Sequence, residues 1–286
     1  MIEDDLIKLI VIVVFIIGVW LYVTNDQQEP NIAIFSWDKE TVIDKGEDTA
    51  DFLHQYEIKR LFQSFSSDLS VTDIQLFLED MGSEMAVYQL IGTPEWAREG
   101  GAASLIEEAR RIITINKQLQ VDQQLKGLVV DVEPYLLDDF DWDDETLQLS
   151  FMANMRALYT YLTAHDLEMI TVVPYFYDTR GYKQVLEFLI TEAATELAIM
   201  NYYRDDEIEH MIYEAALAES IGLPITTIYE FKPPGEYGLT ERNTYYEEGL
   251  TAAHNNLDTI IENFSNQDIY GAFHDLTALK EVVGYE

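Results

Sequence analysis

The stretch GLVVDVEPY, residues 127–135, is the segment on which the predicted fold depends. Its first half is the apolar run GLVV, as expected for a strand that is buried on both faces. Its second half places two carboxylates, Asp131 and Glu133, two positions apart, and Pro134 cannot donate a further strand hydrogen bond. A strand that is apolar in the core and acidic at its end predicts a parallel sheet with a polar site at its carboxyl edge.

The same pattern recurs along the chain, where apolar strands alternate with amphipathic helical stretches. The predicted strands are 32–37, 60–65, 86–92, 127–135, 169–177, 196–204, 224–231 and 269–276, and the clearest helical segments are 102–120, 145–165, 207–221 and 245–263. Eight such units close a (β/α)8 TIM barrel, whose usual size is about 250 residues. A doubly wound open sheet is the alternative, but SWDKETVIDKG after the first strand contains no G-x-G-x-x-G phosphate turn.

The N-terminus differs in kind from the rest of the chain. Residues 6–23, LIKLIVIVVFIIGVWLYV, would span about 27 Å as a helix, which is enough for a bilayer's hydrocarbon core. A cleaved signal peptide is the alternative, but no small-residue cleavage site follows. We therefore predict a membrane anchor over 1–24, a linker over 25–31 and the barrel over 32–286. The distribution of lysines favours a single-pass protein of the cell membrane with an extracytoplasmic barrel.

Composition and charge exclude several classes of function. The chain of 286 residues contains no cysteine, which excludes disulfides and thiol nucleophiles. Its net charge of −36 excludes a general electrostatic footprint for nucleic acid, which requires a basic face. A neutral or cationic ligand is compatible with this charge, whereas an acidic polymer would be repelled. We expect no nucleic-acid partner.

Polar and aromatic residues collect at the predicted strand ends, which is where TIM barrels place their active sites. Aromatic faces stack on sugar rings, and carboxylates bind hydroxyl groups and perform acid–base chemistry. The strand ends therefore predict a carbohydrate site. The predicted sugar-binding residues are Trp37, Tyr135, Tyr175, Tyr202, Arg204 and His274.

Three acids are the predicted catalytic residues. Glu133 and Glu230 follow strands 4 and 7, and a glycosidase needs one carboxyl group as acid and a second as nucleophile or base. Asp131 lies beside Glu133, and a neighbouring negative charge raises the pKa of a carboxyl group. Several of these residues also have a structural alternative. Asp131 could cap the strand or pair with Arg204, Glu133 could have a purely structural role, and Glu230 could form a salt bridge with Lys232 or Arg204. Trp37, Tyr202 and His274 could simply pack in the barrel.

The strand-4 segment resembles the D-G-x-D-x-D-x-E signature of the family 18 chitinases. It retains the glycine, Asp131 and Glu133, whereas Lys126 and Val129 replace the first two acids. The segment MNYY on strand 6 is similar to that family's M-x-Y-D, with Tyr203 in place of the last acid. This resemblance implies a TIM barrel in which Glu133 is the acid and the substrate's own acetamido group is the nucleophile, a route that the two missing acids weaken.

Two further resemblances concern strands 4 and 7. The segments VEP and YEF look like the paired-glutamate arrangement of clan A glycosidases, although Val132 replaces the asparagine that precedes the acid there. Across the whole barrel, the chain resembles a group of bacterial barrel proteins with D-x-E-P-Y on strand 4, approximately M-x-Y-R on strand 6, a glutamate on strand 7 and A-x-H on strand 8. Both resemblances imply a glycosidase-like barrel without defining its substrate.

Together these observations predict a membrane-anchored glycoside hydrolase that acts on an extracellular or cell-wall polysaccharide. Glu133 is the predicted general acid/base, with Asp131 and Glu230 as supporting carboxylates. A barrel that binds a glycan or a surface partner without catalysis is the alternative. We expect no cofactor and no metal, because a metal-dependent hydrolase needs clustered histidines and only His274 of five lies at a predicted strand end.

Overall fold

A closed barrel of eight parallel strands forms the centre of the protein in a computed structural model, which describes residues 31–285. Each strand pairs with its neighbour in sequence, and the last strand pairs with the first. The strands are β1 (Ile32–Ser36), β2 (Arg60–Gln63), β3 (Ala86–Ile91), β4 (Gly127–Val130), β5 (Glu168–Pro174), β6 (Glu196–Met200), β7 (Ile225–Glu230) and β8 (Ile269–His274). The predicted barrel is confirmed, with every strand shorter at its carboxyl end than the sequence pattern suggested.

Helices connect the strands and cover the outside of the barrel. In the described residues they are α1 (Lys39–Asp44), α2 (Gly46–Gln55), α3 (Val71–Met81), α4 (Gly101–Asn116), α5 (Glu145–Thr163), α6 (Lys183–Glu192), α7 (Ile212–Ile221), α8 (Gly249–Asn263) and α9 (Leu276–Val283). The four predicted helical segments are confirmed with shorter bounds. The segment predicted as a helix over 207–221 begins with a short 3-10 turn, Glu209–Met211, which leads directly into α7.

Side chains of each strand alternate between two apolar cores. Along β4, Leu128 and Val130 pack in the layer between the sheet and the helices, whereas Val129 belongs to a second cluster inside the barrel. The interior cluster contains Phe35, Phe62, Tyr88, Leu90, Ile170 and Met200 among others. Because both faces of the strands are buried, the strand sequences are continuously apolar rather than alternating.

A buried ion pair closes the amino-terminal end of the barrel. Arg60 begins β2 and Glu196 begins β6; the Arg60 guanidinium donates to both carboxylate oxygens of Glu196 at 2.9 and 2.8 Å. The hydroxyl of Thr226 donates to the same carboxylate at 2.6 Å. The guanidinium also lies 5.1 Å from the Phe62 ring centroid and 5.4 Å from that of Tyr88. The pair therefore seals the end of the barrel that faces away from the carboxyl edge.

The predicted membrane anchor, residues 1–24, lies outside the described part of the chain, as does nearly all of the predicted linker. Within residues 31–285, no helix combines the length and the apolar character needed to cross a bilayer.

Candidate active site

The side-chain alternation of β4 continues beyond its last hydrogen-bonded residue. Val129 points into the barrel, Val132 packs in the outer layer, and Asp131 and Glu133 line a cavity at the carboxyl edge. Gly92, directly after β3, allows this arrangement, since a side-chain carbon there would lie 2.1 Å from the carbonyl oxygen of Asp131. The alternation along this segment therefore places the side chains of Asp131 and Glu133 in the same cavity.

Asp131 and Glu133 form a buried acid pair. Burial, followed by the charge of the nearby Asp131, raises the pKa of Glu133 to about 8. Burial also raises the pKa of Asp131, to about 6. The hydroxyl of Tyr135 donates a hydrogen bond to Oε2 of Glu133, whereas the buried Oδ1 of Asp131 has no hydrogen-bond partner in the described residues. At neutral pH this pair therefore keeps a proton on Glu133, whose carboxyl group faces the cavity.

Glu230, the last residue of β7, is fixed by hydrogen bonds to both of its carboxylate oxygens. Oε1 accepts the backbone N–H groups of Phe231 and Lys232 at 2.9 and 2.8 Å, and Oε2 lies 2.9 Å from Nδ1 of His274. The indole N–H of Trp37 donates to Nε2 of His274 at 3.1 Å. Because an indole nitrogen can only donate, His274 carries its proton on Nδ1 and donates it to Glu230.

The cavity at the carboxyl edge has two arms that meet at the acid pair. The aromatic arm, about 510 Å³, is lined by Tyr135, Tyr175, Phe176, Tyr202, Glu230 and His274. The acidic arm, about 600 Å³, is lined by Trp37, Asp38, Glu236, Asp275 and Glu281. Asp131, Glu133, Leu136, Lys232 and Tyr237 line both arms. A chain-like ligand that lay across the opening would pass over Glu133 near its middle.

Most residues that the sequence predicted for the site line this cavity. Glu133 and Asp131 line both arms, Trp37 lines the acidic arm, and Tyr135, Tyr175, Tyr202, Glu230 and His274 line the aromatic arm. Arg204 lines neither arm. Its guanidinium forms an ion pair with Glu248 and donates to the carbonyl oxygen of Glu241 at 2.7 Å.

The loop after β7 contributes residues that sequence reasoning did not single out. Lys232 lies 3.2 Å from a carboxylate oxygen of Asp275, and its amino group lies 4.7 Å from the ring centroid of Tyr237. Tyr237 is 85% exposed and has a backbone φ of 50°, in a turn flanked by glycines. The signal for this turn was the segment PPGEYG, which places an aromatic residue at the tip of a tight loop.

Comparisons with known proteins relate the chain to others through its fold. No family model and no curated protein sequence matches it. A class V chitinase from Nicotiana tobaccum shares the fold with a TM-score of 0.56 at 11% identity, covering 87% of this chain and 94% of the other. A GH18 chitinase from Cycas revoluta, solved in complex with (GlcNAc)3, gives a TM-score of 0.51 at 10% identity over 88% and 97% of the chains.

A barrel of a different kind matches the backbone as well as the Cycas revoluta chitinase does. A family 2 AP endonuclease from Brucella melitensis gives a TM-score of 0.51 at 10% identity, covering 90% of this chain and 99% of the other. The solved structures that resemble this chain thus include GH18 chitinases and other TIM barrels. At these identities the likeness establishes the fold, and the function has to be argued from the site itself.

Proposed function

We propose that this protein is a glycoside hydrolase that cleaves a polysaccharide, with Glu133 as general acid/base. One observation carries the proposal: a carboxyl group with a pKa raised to about 8 lies where two arms of an open cavity meet. A glycosidase needs a protonated carboxyl group beside the scissile bond, with room for a sugar on each side of it.

In the proposed reaction, Glu133 donates its proton to the glycosidic oxygen as the bond from that oxygen to the anomeric carbon breaks. The leaving sugar departs as an alcohol, and positive charge develops on the remaining ring. Glu133 then removes a proton from the water that completes hydrolysis, which restores the acid. The Tyr135 hydroxyl, bonded to Oε2 of Glu133, orients the carboxyl group for both steps.

Asp131 is the second carboxylate in this proposal. Its carboxyl group lines the cavity beside Glu133, where it can accept a hydrogen bond from an attacking water or from an amide of the substrate. Glu230 is less suited to act as a nucleophile, since its two oxygens accept hydrogen bonds from two backbone N–H groups and His274. We assign Glu230 the supporting role of holding His274, and through it Trp37.

The aromatic side chains provide the surfaces on which sugar rings would stack. Tyr135, Tyr175 and Tyr202 line one arm, and Trp37 lines the other. Burial, followed by the charge of Glu230, raises the pKa of Tyr202 well above its ordinary value, so its hydroxyl stays a hydrogen-bond donor. The apolar segment over residues 6–23 is the basis for including a membrane-anchored, extracytoplasmic location in the proposal.

The proposal is tested by incubating the full-length protein with cell-wall and exopolysaccharide glycans and measuring released reducing ends. We expect hydrolysis of at least one glycan, and its loss in Glu133→Gln. The same substitution at an exposed residue of α8, Glu262→Gln, is the matched control and should retain activity. Equal rates for Glu133→Gln and the parent would refute the assignment. Glycan binding without hydrolysis by the parent would favour the non-catalytic alternative.

A further inference from the structure

We infer that Arg204 is a positioning residue: it fixes the loop between β7 and α8, residues 231–248, and so sets the place of Tyr237 where the two arms meet at Glu133. Arg204 lines neither arm, so any effect that it has on a ligand passes through other residues. Its effect on hydrolysis rests on the proposed function, whereas its hold on the loop follows from its contacts alone.

The tip of this loop, residues 233–239, has few contacts that hold it in place. Its hydrogen bonds join tip residues to one another, as in the bond of 2.9 Å from the N–H of Gly235 to the carbonyl oxygen of Leu239. In the part of the chain that the structure describes, no hydrogen bond or ion pair joins the tip to another segment. Tyr237 is 85% exposed, and its ring centroid lies 4.7 Å from the amino group of Lys232 in the same loop. The place of Tyr237 therefore depends on how the base of the loop is held.

The side chain of Arg204 holds the returning limb of the loop, residues 240–248. Its Nη2 and Nε donate to the carbonyl oxygen of Glu241 at 2.7 and 3.2 Å, and its Nη1 forms an ion pair with Glu248. Its guanidinium carbon lies 5.5 Å from the ring centroid of Tyr245. One side chain thus contacts three positions along the limb.

The segment that carries Arg204 makes further contacts with the same limb. The backbone N–H of Arg204 donates to the carbonyl oxygen of Arg242 at 2.9 Å, and the side-chain amide of Asn243 donates to the carbonyl oxygen of Tyr202 at 2.6 Å. Asn243 and Tyr202 both line the aromatic arm. The two loops therefore form part of the wall of that arm, and Arg204 joins them from outside the cavity.

The contacts of Arg204 require a guanidinium group. Its N–H groups are fixed in one plane, so that two of them can donate to one carbonyl oxygen while a third points to a carboxylate. A lysine ammonium carries the same charge on a flexible stem, without this fork. The substitution Arg204→Lys therefore separates the geometry of the contacts from the charge.

Hydrogen exchange of the full-length protein tests the hold on the loop without any ligand. The N–H groups of Asn243 and Tyr245 donate to the carbonyl oxygens of Thr240 and Glu230 at 2.8 Å, so their exchange reports opening of the limb. We expect these amides to exchange roughly tenfold faster in Arg204→Gln, because charge-assisted hydrogen bonds are lost. The increase should be smaller in Arg204→Lys, and the amides of α5 should not change.

Arg156→Lys is the matched control for these variants. Arg156 forms an exposed ion pair with Glu192 between two outer helices, α5 and α6, so its replacement should leave the exchange of the loop unchanged. Unchanged exchange of Asn243 and Tyr245 in Arg204→Gln would overturn the inference. An equal increase throughout the barrel would overturn it as well, because it would show a loss of global stability and not a release of the loop.

A second experiment tests whether Arg204 acts through Tyr237. KM and kcat are measured on the cell-wall and exopolysaccharide glycans of the hydrolysis screen for Arg204→Gln, Tyr237→Ala and the double variant. Each single substitution should raise KM about three- to tenfold with little change in kcat, because Glu133 and Tyr135 keep their contacts. The double variant should be no worse than Tyr237→Ala, since residues that act through one another do not add. Additive increases in KM, or a decrease confined to kcat, would overturn the inference.

Failure of the inference and failure of the proposed function give different results. Hydrolysis with the same KM in Arg204→Gln as in the parent would support the function and overturn the inference. Faster exchange of the limb in Arg204→Gln, with no hydrolysis of any glycan by the parent, would support the hold on the loop and overturn the function.

Discussion

The two ends of the barrel both bury carboxylates, but they treat them in opposite ways. At the amino-terminal end, Glu196 receives two hydrogen bonds from Arg60 and a third from Thr226. At the carboxyl end, Asp131 and Glu133 are neighbours of like charge, and Oδ1 of Asp131 has no partner in the described residues. The first arrangement stabilises each charge, whereas the second makes each charge harder to form.

This contrast distinguishes a carboxylate that stabilises the fold, Glu196, from carboxyl groups that we assign to catalysis, Asp131 and Glu133. Burying an unpaired carboxyl group costs free energy, and folded proteins rarely accept that cost except at functional sites. Both positions project inward from strands of the same barrel, so strand geometry alone does not explain the difference. The placement of a basic partner at one end, and of a second acid at the other, does explain it.

The largest expected effect is on activity at the carboxyl end. Replacing Glu133 by glutamine removes the proton donor, and general acid catalysis typically contributes about 10²–10⁴-fold. We expect turnover of a cleaved glycan to fall by that factor, measured as kcat under saturating substrate. The free energy of unfolding should not decrease, because a neutral amide replaces an acid that is already difficult to ionise. A loss of both activity and stability would show that Glu133 also stabilises the fold, as Glu196 does at the other end, and would contradict the contrast.

The next effect is on stability at the opposite end. Glu196→Ala leaves the Arg60 charge buried without its partner, which should lower the free energy of unfolding by about 3–5 kcal/mol. Urea denaturation provides the measurement. The double variant Arg60→Met with Glu196→Leu is the control, since apolar residues of similar volume replace both charges. It should recover most of the loss; an equally unstable double variant would mean that packing, not the unpaired charge, is responsible.

A smaller effect is the pH dependence of stability. Because the pKa of Glu133 is raised to about 8 in the folded protein, the native state binds a proton that the unfolded chain releases near pH 4.3. Glu133 therefore contributes stability that is complete below about pH 4.3 and is lost as the pH rises through about 8. Denaturation of the parent and of Glu133→Gln should show a steeper decline in the parent. Parallel curves would contradict the raised pKa.

The smallest expected effect concerns the support of the site. Trp37→Phe keeps an aromatic ring in the acidic arm but removes the hydrogen bond to His274, which is worth about 1 kcal/mol. We expect a comparable decrease in the free energy of unfolding and a modest decrease in kcat. The tautomer of His274, observed by nitrogen NMR, should become less strongly biased toward a proton on Nδ1. An unchanged tautomer would show that Glu230 alone determines it.

Much of this architecture could be predicted because inward and outward positions alternate strictly along a strand. The apolar run that precedes Asp131 predicts both the strand and the direction of the acids that follow it. Strand alternation does not predict the position of Arg204. Because β6 ends at Met200, the chain turns before Arg204, and the guanidinium contacts Glu248 and not the cavity. Tyr237 shows the same limit, because the path of the loop after β7 is set by tertiary contacts that no local pattern encodes.

In the proposed mechanism, Glu133 stays protonated at neutral pH because it is buried beside Asp131. The most direct measurement is a carboxyl-carbon NMR titration of Glu133 in the full-length protein and in Asp131→Asn. We expect a pKa of about 8 for Glu133 in the parent and a lower value in the variant, where the neighbouring charge is absent. A parent value near the ordinary glutamate pKa of about 4.3, or no change in the variant, would contradict it.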